Sequence, residues 1–235
     1  MDVSSPSPLH GALVDDDTTT FRVWAPDADQ LALVLDPDGD PHPMNDVGNG
    51  YFELADAPVG PGTRYKIGLD DQGPFPDPAS RYQPEGVHGP SEVVDPTTYP
   101  WSDDNWTGLD RADLVFYELH VGAFTGPGTF RAVQERLSYL QTLGVTAIEL
   151  MPVHDFPGRW NWGYDPAALF APSRAYGAPD ALRRLVDAAH QAGLAVFLDV
   201  IYNHLGPDGA YANAFAPFLT DKYETPWGPA INLDD

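Results

Sequence analysis

An apolar run at residues 194–198 ends in Asp199, and the turn after it carries Asn203 and His204 in the stretch LAVFLDVIYNH. A strand that ends this way delivers a carboxylate, a carboxamide and an imidazole to one edge. Parallel α/β sheets build their sites so, because helices cover the strands and ligands bind at the carboxyl ends. The same residues also fit a core strand followed by an ordinary polar loop. Two further strand-like runs, LVFYELHV (114–121) and VTAIELM (145–151), place Glu118 and His120, and Glu149 with His154 and Asp155 beyond it, in matching positions. A satisfied structural role is open to each of them. Their convergence on one rim is what favours a site.

Between the second and third of these runs, the loop GRWNWGYDP (158–166) concentrates Trp160, Trp162, Tyr164 and Asp165. Rings in a long ordered loop make a stacking wall for a flat ligand, unless they pack against their own scaffold. Retaining hydrolysis of a glycoside needs two carboxyl groups roughly 5–5.5 Å apart, and spacing assigns those roles to no pair here. Asp199, Asn203 and His204 resemble part of an oxygen-rich metal shell, but no second carboxylate cluster completes it, so no metal is expected.

Thirty-five acidic residues against twelve basic ones give a net charge of −23. Such a chain repels phosphate backbones and anionic lipid, which argues against nucleic acid and membrane as partners, and does not repel a neutral, hydroxyl-rich substrate. There is no cysteine, so disulfides and thiolate metal sites are excluded. The opening MDVSSPSPLH lacks a basic and then apolar leader pattern, and the expectation is a cytoplasmic protein.

Two regions of different grammar must hold these residues. Residues 9–98 contain FRVWAP, QLALVL, GYFELA and TRYKIGL, short β-rich runs parted by turn clusters such as DPDGDP and GPG. They predict an antiparallel, immunoglobulin-like β-sandwich behind a disordered tail at 1–8. Residues 72–110 are dense in Pro and Gly yet aromatic, and read as an ordered crossing, with 99–112 as the linker proper. From residue 113 strand and helix alternate. Thr129 is placed to cap a helix with Phe130, Val133, Leu137 and Leu140 on one face, closed by Gly144, and Pro179 opens another with Leu182, Leu185, Val186 and Ala189 inward, closed by Gly193. QTLGVTAIEL and HQAGLAVFLDV repeat at a spacing of 49 residues, which predicts parallel strands. The loop HVGAFTGPGTF does not fit the dinucleotide fingerprint, leaving a (β/α)8 TIM barrel in 113–235. A barrel takes about 250 residues. Only 122 remain from Leu114, enough for three strands of eight, and the chain reads as the front of a longer one.

DVIYNH (199–204), GVTAIELMPV (144–153) and WGYDP (162–166) resemble the α-amylase superfamily of glycoside hydrolases. PDPASRYQPEGVHGPS, HVGAFTGPGTF, MPVHDFPGRWNWGYD and KYETPWGPAINLDD together are similar, more narrowly, to its maltooligosyltrehalose trehalohydrolases. The resemblance implies an enzyme that releases trehalose by cutting the adjacent α-1,4 bond with retention and without a cofactor. It implies that His204 hydrogen-bonds the sugar next to the cut and Tyr164 stacks beneath it, with Trp162 and Asp165 completing the substrate-binding set. Asp199 would orient an arginine and Asn203 would brace the loop. The family's nucleophilic Asp, acid Glu and stabilising Asp lie on later strands and have no counterpart up to Asp235, so no catalytic residue is expected within this chain, and the isolated chain is expected to be inactive. The alternatives are a glucan branching enzyme and a non-catalytic glucan-binding module.

Overall fold

The computed structural model describes residues 10–37 and 39–233. The tail expected at 1–8 lies outside the described residues. The first region is a two-layered antiparallel sandwich. One sheet has the order β1 (Gly11–Asp15), β2 (Thr18–Trp24), β6 (Tyr51–Ala57), β5 (Asn45–Gly48). The other runs β4 (Pro41–Pro43), β3 (Leu31–Asp36), β7 (Arg64–Leu69), β8 (Gln72–Phe75), with β9 (Ser91–Glu92) also on β7. Alternation makes the core. Thr19, Phe21 and Val23 of β2 and Tyr65, Ile67 and Leu69 of β7 all point inward. Phe21 meets Tyr65 edge to face at 4.7 Å, and the Tyr65 hydroxyl donates to Asp77 at 2.7 Å. Strands β1, β4, β5, β8 and β9 are not marked by the sequence pattern. Strands β4 and β5 are wholly exposed, and β4 and β8 carry proline, so no periodic burial signal is written there.

The crossing is ordered, as its aromatic content predicts. Its β9 completes the sandwich, and residues past Tyr99 lie on helix α4 (Pro179–Gln191). There Ser102 donates to Asp187 from its N–H at 3.0 Å and its hydroxyl at 2.8 Å, while Trp106 stacks on His190 at 4.6 Å. This cover explains why Asp187, on the outer side of α4, is buried.

Strands β10 (Phe116–Leu119), β11 (Ala147–Leu150) and β14 (Ala195–Leu198) form a parallel sheet in that order. One face packs on helices: Leu119, Ile148 and Leu150 join Phe130, Val133, Leu137, Leu140, Leu185 and Ala189 in one core. Thr129 caps as expected, accepting from the Ala132 N–H at 3.2 Å. The single helix expected after it is two, α2 (Phe130–Gln134) and α3 (Leu137–Thr142), because Arg136 leaves helical geometry with its N–H bonded three residues back to Val133. Its four apolar residues stay buried. The first strand also ends early: the His120 carbonyl accepts from Ala123 and Phe124, turning 121–124 into the short helix α1 (Val121–Phe124). A hairpin, β12 (His154–Asp155) with β13 (Ala168–Pro172), fills part of the long loop. After β14 come a short helix, α5 (Ala212–Phe215), and a second hairpin, β15 (Leu219–Thr225) with β16 (Gly228–Ile231). No helix among the described residues is long and apolar enough to cross a membrane.

Candidate functional site

Register fixes what each face of the parallel sheet presents. Phe116, Ala147 and Ala195 align in one row, and Glu118, Glu149 and Phe197 in the next, on the face away from the helices. The rings of Phe116 and Phe197 stand 4.8 Å apart across this face. Past its carboxyl edge, the Asp199 N–H donates to the Leu150 carbonyl at 3.0 Å, so the chain leaves β14 at a fixed angle.

The aromatic loop and the loop after β14 meet here. The Tyr164 hydroxyl donates to Asp199 Oδ2 at 3.3 Å, and the Tyr164 carbonyl accepts from His204 Nε2 at 2.9 Å. A carbonyl only accepts, so this bond fixes Nε2 as a protonated nitrogen of the ring. Its Nδ1 faces the Asn203 carboxamide at 3.1 Å. Burial, then the charge and hydrogen bond of Asp199, raise the Tyr164 pKa, which keeps the phenol a donor. His204 is buried, and the exposed Trp227 of the second hairpin stacks on it at 5.5 Å with 21° between the rings. Four expected residues, Tyr164, Asp199, Asn203 and His204, are thus brought together.

The other expected residues are placed differently. Trp162 is exposed. Trp160 is exposed too, but the Arg159 guanidinium lies over its ring at 5.0 Å. Asp165 Oδ2 accepts from Asn161 Nδ2 at 2.9 Å, and Asn161 Oδ1 accepts from the Gly163 N–H at 2.7 Å. His120 serves the loop: its Nε2 donates to the Asn161 carbonyl at 2.7 Å, beside the Tyr176 hydroxyl, whose pKa burial pushes up to about 12. His154 turns into the first hairpin, where Nδ1 donates to the Leu169 carbonyl at 2.9 Å and burial lowers its pKa. Asp155 is fully buried against Arg174 at 3.4 Å, and burial raises its pKa to about 6. Among the described residues no group of three or more His, Cys, Asp or Glu is placed to hold a metal ion.

Three residues with a part in this geometry were not singled out from the sequence. Asn161 has a legible signal, an Asn two residues before a Gly, which is the pattern of an Asx turn. Gly163 sits at φ +93°, and a Cβ there would lie 2.1 Å from the Pro152 carbonyl oxygen, so the loop is pressed flat onto the end of the second strand's extension. Trp227, in the Pro-Trp-Gly turn between β15 and β16, gives no local hint that it reaches His204.

A parallel sheet thus gathers polar residues at its carboxyl edge, and an antiparallel sandwich precedes it in the chain. Residues 93–221 match the family model for the α amylase catalytic domain, and residues 9–96 match carbohydrate-binding module 48, the isoamylase N-terminal domain. The chain belongs to the α-amylase family. It is 49% identical over 225 residues to the malto-oligosyltrehalose trehalohydrolase of Saccharolobus solfataricus, with 96% of this chain and 40% of that protein covered. The trehalohydrolase of Deinococcus radiodurans is 50% identical over 91% of this chain and 35% of its own length. A 1,4-alpha-glucan branching enzyme of Corynebacterium jeikeium is 34% identical over 85% of this chain and 30% of its own. The chain thus spans about 40% or less of these curated relatives. Among solved structures, a Salmonella typhimurium protein of α-amylase type superposes with a TM-score of 0.91 at 46% identity, covering 96% of this chain and 39% of that one. A pullulanase from Anoxybacillus sp. LM18-11, solved with maltotetraose, superposes with a TM-score of 0.81 at 25% identity, over 95% of this chain and 40% of its own.

Proposed function

We propose that this chain forms the amino-terminal part of a glycoside hydrolase that releases trehalose from maltooligosyltrehalose, cutting the adjacent α-1,4 bond with retention. The observation that carries the reading is the meeting of Tyr164, Asp199 and His204 at the carboxyl edge of the sheet, two residues along the loop from the exposed Trp162. A ring face, a fixed imidazole and a carboxylate suit a sugar, which offers apolar C–H faces and a rim of hydroxyls. The fold's relatives are named for α-glucan chemistry, which supports the substrate class. In this reading Tyr164 stacks beneath the sugar next to the cut, and His204 hydrogen-bonds it through Nδ1 once Asn203 and the stacked Trp227 release that nitrogen. Trp162 and Asp165 extend the binding surface, with Asp165 Oδ1 left for a hydroxyl. Asp199 holds the Tyr164 phenol and orients an arginine, and Asn203 braces the loop.

Nucleophile and general acid are assigned to no carboxylate of this chain, so the 235 residues assayed alone are proposed to bind without cutting. The reading places the enzyme in the cytoplasm, with no cofactor. Affinity electrophoresis through glycogen tests the binding. Retardation that Trp162→Ala and Tyr164→Ala each reduce by about tenfold in affinity supports it; migration unchanged by glycogen overturns it. Release of trehalose by the 235 residues would overturn the assignment of roles, and new α-1,6 branches formed by the intact enzyme would favour a branching enzyme instead.

A further inference from the structure

We propose that Asn161 is the positioning residue of the candidate site, locking loop 158–166 into the shape that holds Tyr164 against Asp199 and His204. The proposal rests on the glucan-binding reading and adds the residue that prepares that surface. The two halves of Asn161 act on different partners. Its carboxamide closes the loop on itself, Nδ2 donating to Asp165 Oδ2 at 2.9 Å and Oδ1 accepting from the Gly163 N–H at 2.7 Å. Its backbone carbonyl ties the loop to the scaffold, accepting from His120 Nε2 at 2.7 Å and from the buried Tyr176 hydroxyl at 3.4 Å.

Tyr164 lies between the two residues that the Asn161 side chain holds. Gly163 cannot shift inward, because the Pro152 carbonyl already fills the space a Cβ would need. With residues 163 and 165 both tethered to 161, the Tyr164 carbonyl and hydroxyl can meet His204 and Asp199 together without an ordering cost at binding. The residue type follows from the bonds. One short side chain must accept from a backbone N–H two residues on and donate to a carboxylate four residues on, which a carboxamide does; an aspartate would set two carboxylates against each other.

The test compares Asn161→Ala with the exchange Asn161→Asp plus Asp165→Asn, which reverses the side-chain bond and keeps an acceptor at both positions. In the purified protein, amide hydrogen exchange at Gly163 and tryptophan-fluorescence titration with maltotetraose are measured for each. Asn161→Ala is expected to speed Gly163 exchange about tenfold and weaken maltotetraose binding about tenfold, and the exchange variant to return Gly163 exchange to within about threefold of wild type. Should Asn161→Ala lose its near-UV dichroism, Tyr176→Phe, which removes the hydroxyl's bond to the Asn161 carbonyl together with its contact to His120 Nε2, carries the comparison with about threefold effects. Gly163 exchange unchanged in Asn161→Ala, or as fast in the exchange variant as in Asn161→Ala, overturns the proposal. A wild-type protein that ignores maltotetraose while Gly163 exchange follows the expected order sinks the glucan reading and leaves the positioning of Tyr164 standing.

Discussion

In the sandwich, Phe21 and Tyr65 meet at 4.7 Å and both are buried, whereas Phe116 and Phe197, 4.8 Å apart on the parallel sheet, remain 49% and 41% exposed. The contrast follows from how each sheet type disposes of its faces. Two antiparallel sheets made from local hairpins close on each other and hide their inner sides within about ninety residues. A parallel sheet has two apolar faces to cover, and here the helices cover one. The remaining face carries Glu118 and Glu149 beside its rings and leads to the edge where Tyr164, Asp199 and His204 meet. The sandwich therefore reads as a finished core, and the parallel sheet as an unclosed one.

The largest expected effect breaks the finished core. Phe21→Ala should cost about 4 kcal/mol in urea unfolding, through lost burial and the cavity left beside Tyr65.

The next compares a buried acid in each region. Burial raises the pKa of both Asp77 and Asp155, but Asp77 accepts from Tyr65 and the Ala79 N–H, while Asp155 Oδ2 lacks a partner among the described residues. With a folded value of about 6 against an ordinary value near 3.9, the fold favours the neutral acid of Asp155. Its contribution is most favourable below about pH 4 and is lost as pH rises to about 6, a change of about 3 kcal/mol. Asp155→Asn should remove that part of the slope, seen as a smaller stability difference between about pH 4.5 and 7 in paired urea titrations. An unchanged slope would show that Arg174 already neutralises the site.

Smaller changes sharpen the contrast. Thr129→Ala removes the cap on α2 and should cost about 1 kcal/mol, read by the same unfolding assay. Phe197→Ser on the open face should cost about 1 kcal/mol, through loss of its ring contact with Phe116. A loss near that of Phe21→Ala would mean that this face is as tightly packed as the sandwich.

The sequence was legible where burial repeats with a local period. TRYKIGL and the Phe130, Val133, Leu137, Leu140 face announce their elements, and the runs at 116–119, 147–150 and 195–198 announce a parallel sheet. The breaks were less legible. Arg136 divides an expected helix, and β4 and β5 pair with no buried side of their own. Of the site, Tyr164, Asp199, Asn203 and His204 stand out by type and position, whereas His154 and Asp155, equally polar and near a strand end, turn into a hairpin.

What the amino-acid order settles by itself is which residues can share a face, because side-chain direction along a strand or helix is fixed by periods of two and 3.6 residues. It also settles the charge of −23 and the absence of thiol chemistry. Only the folded chain decides that the Tyr164 hydroxyl reaches Asp199 across 35 residues, that its carbonyl reaches His204 across 40, and that Trp227 covers the imidazole. Contacts over such separations depend on how packed layers set one loop beside another, and no local repeat carries that information.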